Sequence, residues 1–217
     1  VNNFTGSQGP MIHGGQDMKG GGYKADYRGP GHICNWARNP PGKSTLELRD
    51  GLDEQHITWK NEWSINPIMM ENHDEHRFIS RESAGPWKQQ IGYMTAFTVS
   101  VSPILFYGGE LGLEGPHAGD AGSVKMGNTG NVRQMPWERL DDSTWQSVQQ
   151  SLRRTIQARA NFVELRGDPK KEDDYWGKRG WYTDGQYDGE VLVYARLKEN
   201  RKAIVMMNRS GGDVTLN

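Results

Sequence analysis

One segment holds an unusual share of the side chains able to do chemistry: Glu71-Asn72-His73-Asp74-Glu75-His76-Arg77. It follows Ile65-Asn66-Pro67-Ile68-Met69-Met70 without a linker. A short run that is apolar on both faces reads as a buried parallel strand. Pro67 is acceptable only near its start. Carboxylates and imidazoles at the end of such a strand can accept and donate protons. Asp74 and His73 are the first candidates, with Asn72 and Arg77 beside them. Packing alone would have Asp74 cap the chain after the strand and leave His73 a satisfied loop histidine. Arg77 reads first as an ion-pair partner for a nearby carboxylate, and also as a possible substrate contact. Glu71 and Glu75 read as solvated or paired.

Two other chemistries compete. Ala37-Arg38-Asn39-Pro40-Pro41-Gly42-Lys43-Ser44-Thr45 resembles a phosphate-binding loop with Ala in the first Gly position, which would make the chain nucleotide-binding through Gly42-Lys43-Ser44. Its context is poor, because His32-Ile33-Cys34-Asn35-Trp36 is too polar for a central strand. The alternative is a polar turn before a helix. His73, His76, His32 and Cys34 are zinc-ligand types, but their short spacings are incomplete.

Elements that could position these groups follow from periodicity. Gly14-Gly15, Gly20-Gly21-Gly22, Gly29-Pro30-Gly31 and Pro40-Pro41-Gly42 break up the first part of the chain. No regular helix is expected before Ser44, and only a short one over Thr45–Leu52. Pro86 suits a first helical turn, and Trp87, Ile91, Met94, Phe97 and Val101 form a helical stripe. Pro103–Tyr107 reads as a second buried strand ended by Gly108-Gly109, and the stretch to about Gly130 as a long loop. Asp141, Asp142 or Ser143 can cap a helix whose apolar face follows Trp145, Val148, Leu152, Ile156, Arg159 and Val163. Glu190–Leu197 and Ala203–Asn208 read as an antiparallel pair around a polar turn. The order is α/β with a β appendage.

The segments resemble, in order, signatures of the α-amylase superfamily of glycoside hydrolases. Met70–Phe78 is similar to the family's fourth signature region. Pro103–Gly112 is similar to its eighth barrel strand and the Tyr-Gly-x-Glu turn. Arg133-Gln134-Met135-Pro136-Trp137 is similar to its Arg-x-Pro-Met-x-Trp pattern, one residue shorter. Ser151–Arg159 resembles the helix before the C-terminal β-domain, and Val191–Leu197 with Ala203–Asn208 that domain's first strands. The resemblance implies the C-terminal portion of a (β/α)8 barrel followed by the beginning of an antiparallel β-domain. Residues 1–62 would be an irregular insertion, 63–166 the last barrel strands and helices, and 167–217 the truncated β-domain.

The resemblance also implies roles. The chain would be part of a retaining enzyme, hydrolase or glucan transferase, acting on α-glucosidic bonds of starch-type glucans. Asp74 would stabilise the transition state, His73 and Asn72 would bind sugar hydroxyls, and Trp137 could stack on a ring or pack the rim. Tyr107 and Glu110 would brace the loop. No cofactor is identified, and calcium, possible in the family, has no assignable site. The family's nucleophile and acid/base segments are missing. The nearest copy, Gly22-Tyr23-Lys24-Ala25-Asp26, has Lys for Arg and no apolar strand before it. The isolated chain is therefore expected to be inactive, and a non-catalytic glycan-binding or relic fragment stays open beside the enzyme reading.

Composition bounds these readings. The 217 residues make one domain or one and a fraction. Apolar residues are 34% and mean hydropathy is −0.83, yet 8 Trp, 8 Tyr and 5 Phe argue against disorder. Opposed charges of 26 and 27 give no electrostatic case for nucleic acid or an anionic membrane. No apolar run reaches the ~20 residues that span a bilayer. Cys34 alone excludes an internal disulfide, which fits a cytosolic protein and equally a secreted one. The chain opens at Val1, with neither Met nor a signal-type segment, and is expected to be a piece of something longer.

Overall fold

The computed structural model describes residues 28–38, 44–59, 68–73, 76–81, 84–99, 102–115, 132–166, 179–181 and 190–215. Helices α1 (Arg28–Arg38) and α2 (Thr45–Trp59) come first, then strand β1 (Ile68–Met69), helix α3 (Pro86–Val99), strand β2 (Pro103–Ile104) and helix α4 (Ser143–Asn161). Strands β3 (Arg179–Trp181), β4 (Val191–Lys198) and β5 (Arg201–Asn208) close the order. β1 and β2 pair in parallel, Ile68 opposite Pro103 and Met69 opposite Ile104. β3, β4 and β5 form an antiparallel sheet with β4 in the middle. Among the described residues, the parallel sheet consists of β1 and β2.

The first part of the chain corrects the expectation of irregularity. α1 forms although it contains Gly29-Pro30-Gly31. Pro30 falls in the first turn, where a helix has no use for its missing N–H. Beyond it Ile33, Cys34, Trp36 and Ala37 are all buried, a spacing that turns one face inward. α2 begins at Thr45 as expected but continues to Trp59. Ser44 starts it, its Oγ accepting from the Glu47 N–H at 3.0 Å. The helices can lie close because Gly51 has no side chain: a Cβ there would come within 2.2 Å of the His32 ring.

The described part of the same segment gives the phosphate-loop reading no support, and residues 39–43, with Gly42 and Lys43, lie outside the described residues. A helix, not a strand, leads into it. The Thr45 hydroxyl is buried and accepts the Trp36 indole N–H at 3.0 Å, and the Ser44 hydroxyl is spent on the helix start.

α3 and α4 occupy nearly their expected positions, and most of their expected apolar faces turn inward: Ile91, Met94 and Phe97 on α3, and Trp145, Val148 and Leu152 on α4. On α3 the buried residues include Gln89, Tyr93, Thr95, Ala96, Phe97 and Val99, whereas Trp87 is exposed under the Lys88 ammonium. The polar Gln89 and Tyr93 can be buried because they find long-range partners, which an apolar count ignores. Val101 lies outside the described residues. On α4 the buried stripe is Trp145, Val148, Leu152 and Thr155, and Ile156 is exposed. Thr155 hides its hydroxyl by donating to Ser151 O at 2.9 Å. Asp142 is the cap, accepting from the Thr144 N–H at 2.7 Å.

α3 is the central helix, packed between α1 and α4. One core joins Trp36, Leu48, Ile68, Phe97, Leu192 and Tyr194, so the antiparallel sheet docks on the helices rather than standing apart. Arg196 on β4 reinforces that docking. Its Nη1 donates to Thr98 O and Val99 O, both at 2.8 Å, and fills the otherwise orphaned carbonyls at the end of α3. A smaller cluster of Leu111, Trp145 and Val148 holds the segment after β2, with Ile79 and Met135 against it.

Candidate functional site

Because β1 and β2 are parallel, the segments that follow them leave from the same edge of the pair. The first runs from Met70 through His73 to the 3-10 turn Phe78–Ser80. The second runs from Leu105 into the 3-10 turn Gly109–Leu111. Left-handed Gly108 (φ 79°) and Gly112 (φ 64°) flank that turn, a conformation that suits glycine.

A buried polar cluster ties the two segments together. Glu71 is 1% exposed and Arg77 is wholly buried. Glu71 Oε2 accepts the Phe78 N–H at 2.6 Å, and Oε1 accepts the Tyr93 hydroxyl at 3.1 Å. Arg77 Nη1 lies 3.4 Å from the same Oε1 and donates to Tyr107 O at 2.8 Å. The guanidinium carbon lies 4.1 Å from the Phe106 ring centroid and 4.9 Å from that of Tyr107. Gln89 on α3 donates to Gly109 O at 2.6 Å. The Arg77 N–H donates to Gly115 O at 3.0 Å, and the Gly115 N–H donates to Ser80 Oγ at 2.8 Å.

Burial pushes the Glu71 carboxyl above its usual range, against the lowering effects of the Phe78 N–H and Arg77. Burial also raises the Tyr93 phenol well above its usual value, and Glu71 adds to that rise. Tyr93 therefore stays a neutral donor to Glu71.

The candidate residues fall in different places. Asp74, Glu75 and Asp26 lie outside the described residues. His73 is exposed, whereas Asn72 is buried beside Glu71. Arg77 is an ion-pair partner, with its guanidinium turned into the cluster. Tyr107 braces as expected: its hydroxyl donates to Arg133 O at 2.9 Å. Trp137 is 62% exposed at the start of the 3-10 turn Trp137–Asp141. Two residues before it, Met135 packs on the Leu111 cluster. The long loop expected to about Gly130 lies largely outside the described residues.

The zinc reading finds no support. Among the described residues no three His, Cys, Asp or Glu gather to hold a metal, and the Cys34 thiol donates to Met70 O at 3.3 Å. The same holds for calcium, so no chemical step is assigned to it. No described helix is long and apolar enough to cross a membrane.

Glu71 is the residue that sequence reasoning undervalued. Its one signal was position: it follows Met70 directly at the end of a buried run, before the chain has left the core.

No protein-family model matches the sequence, and no curated protein does. Solved structures do match. Cyclic α-maltosyl-(1→6)-maltose hydrolase from Arthrobacter globiformis aligns with a TM-score of 0.64 at 18% identity, over 85% of this chain and 37% of that one. That hydrolase has also been solved in complex with maltose and with cyclic α-maltosyl-(1→6)-maltose. The α-amylase from H. orenii aligns with a TM-score of 0.61 at 14% identity, over 85% and 38%. A cyclomaltodextrinase aligns with a TM-score of 0.60 at 18% identity, over 85% and 28%. The chain thus spans less than two-fifths of the length of each of these proteins. All three are α-amylase-family proteins, and the fold of this chain is that of a portion of such a protein.

Proposed function

We propose that the chain is the C-terminal portion of a retaining glycoside hydrolase or glucan transferase acting on α-glucosidic bonds of starch-type glucans. The observation that carries the reading is positional. Glu71-Asn72-His73-Asp74 begins directly beyond β1, on the edge where β1 and β2 end side by side. In a (β/α)8 barrel that edge carries the chemistry. The fold likeness to maltosyl-maltose hydrolase, α-amylase and cyclomaltodextrinase supports α-glucan oligosaccharides as the ligand class. On this reading residues 63–166 supply the last barrel strands and helices, and 167–217 the first strands of the β-domain.

Asp74 is assigned the carboxylate that stabilises the transition state. Charge on the sugar ring grows as the glycosidic bond breaks, so an anion held beside it binds the transition state more tightly than the substrate. His73 is assigned to sugar hydroxyls and Trp137 to the face of a ring, whereas Asn72, expected to bind hydroxyls, is buried and is not assigned a sugar contact. Arg77 is assigned to holding the segment in place. Retention of configuration needs two further carboxyl groups ~5–5.5 Å apart, and none of the described residues is assigned to either role.

The test is turnover of maltooligosaccharides and cyclodextrins by the gene product in which residues 1–217 occur. Asp74→Asn is expected to lower kcat by about 10²-fold or more with the melting temperature kept. Near-normal turnover in that variant would remove the assignment. The alternative is a glycan-binding role without catalysis. Saturable maltoheptaose binding with no reducing-sugar release by that gene product would select it.

A further inference from the structure

We infer that Glu71 is a positioning residue, and that it sets the geometry of the segment carrying Asp74 by closing that segment into a loop. This rests on the assignment of Asp74 given above. Glu71 stands at the first residue of the segment, and its carboxylate accepts the N–H of Phe78 at its far end, 2.6 Å away. One side chain thus joins the two ends of the segment in which Asp74 occurs. Three observations make this more than a local turn. The other carboxylate oxygen takes the Tyr93 hydroxyl at 3.1 Å, so the clamp is anchored on α3. Arg77, the last residue inside the loop, faces that same oxygen and donates to Tyr107 O, so the clamp also fixes the loop to the segment after β2. Finally, the cluster is shut off from water, so a donor left without its acceptor has no solvent to replace it.

The chemistry of the clamp requires an acceptor on both oxygens. Glu71→Gln keeps the volume but turns one oxygen into an amide NH2. With the NH2 toward Phe78 a donor meets the backbone N–H; with it on the other side it meets the Arg77 guanidinium, and Tyr93 stays bonded only by turning its hydroxyl to accept. The loop can relieve this only by moving. Displacement of a reacting group by about 1 Å costs on the order of 10²-fold in rate.

A double-mutant cycle in the gene product separates positioning from general weakening of the fold. Glu71→Gln is expected to lower kcat by about 10- to 100-fold. In an Asp74→Asn background it is expected to lower kcat by no more than about 2-fold, because the group it positions is already gone. Tyr93→Phe removes one bond of the clamp at constant ring volume. It is expected to lower kcat by about 3- to 10-fold, again only when Asp74 is present. Losses that simply multiply with that of Asp74→Asn would overturn the inference, as would wild-type kcat in both clamp variants. Should Glu71→Gln fail to fold, the Tyr93→Phe arm decides by the same criterion. Normal turnover in Asp74→Asn would be a different result: it removes the functional reading, and the inference falls with it.

Discussion

Gly109 should be among the least replaceable residues of the site, for a reason visible in the distances. A Cβ added there would sit 1.9 Å from the Tyr93 hydroxyl, 2.3 Å from Glu71 Oε1 and 3.1 Å from Tyr93 Cζ. Gly109 has an ordinary negative φ, so backbone strain does not enter. The contacted atoms are not free ends. The Tyr93 ring is buried on the central helix, and the Glu71 carboxylate is pinned by the Phe78 N–H. Gly109→Ala must therefore displace one of them and break the Tyr93–Glu71 hydrogen bond. Overpacking costs about 1–3 kcal/mol, and a buried hydrogen bond broken on one side about 1–3 kcal/mol more. The total of about 2–6 kcal/mol is a large part of the stability of a typical domain. At about 2–4 °C per kcal/mol for a chain of this size, the melting temperature should fall by roughly 5–20 °C. Thermal unfolding followed by circular dichroism measures this. Gly212→Ala is the control, since nothing lies within 4 Å of its Cβ. Gly109→Ala in a Tyr93→Phe background should lose less than the two single effects added, because the closest clashing atom has been removed. A Gly109→Ala melting temperature within about 2 °C of wild type would refute the reasoning, since the cluster would then have room that the geometry denies.

Two further outcomes are expected. Ser44→Ala should cost about 1 kcal/mol through loss of the α2 cap, a drop of about 2–4 °C in melting temperature, and ATP should not raise the melting temperature of the wild-type chain. A nucleotide-dependent rise in wild type would instead restore the phosphate-loop reading. The pH dependence of stability should carry opposite signs at two carboxyls. Burial raises Glu71 above 4.5 in the folded protein, so its contribution is fullest at low pH and is lost as pH rises from about that value upward. The difference in unfolding free energy between wild type and Glu71→Gln should therefore move against wild type as pH rises above 4.5. Asp142 is lowered from 3.8 by its bond to Thr144, so its contribution is present above that value and lost on acidification. A Glu71→Gln difference that is flat with pH would contradict the first sign.

What could be read from sequence was whatever rests on local pattern. The β4–β5 hairpin consists of two β-rich runs around a polar turn, and it forms within a residue or two of its expected limits. The parallel relation of the runs near Ile68 and Leu105 followed from their being apolar on both faces. α1 was missed because Gly29-Pro30-Gly31 is a turn signal in isolation, and only its place in the first helical turn makes it harmless. Most of the apolar faces of α3 and α4 were legible, whereas the polar residues buried beside them were not. Thr155 satisfies itself within its own helix, whereas Gln89 and Tyr93 depend on Gly109 and Glu71, far away in the chain. Glu71 is the extreme case. Sequence alone leaves Glu71 solvated or paired, and only the convergence of Tyr93, Arg77 and Phe78 decides for paired.

That convergence answers a question the strands raise by themselves. β1 and β2 are each two residues long, and a ladder so short cannot determine where the chains go once they leave it. The polar cluster carries the pairing further. Arg77 takes the carbonyl of Tyr107 and gives its own N–H to Gly115, so contact between the two segments continues well beyond the last ladder position. Gln89 and Tyr93 hold the same two segments to α3 from below. A buried ion pair is weak support for stability, because desolvation offsets much of its attraction. Here its effect is directional. An apolar pair of equal volume would fill the space, but it would leave the Phe78 N–H and the Tyr107 carbonyl without partners and the Asn72–Arg77 segment closed at neither end. The cluster is best understood as the part of the fold that converts a minimal parallel pair into a defined edge, where His73 can stand exposed while the residue before it is buried.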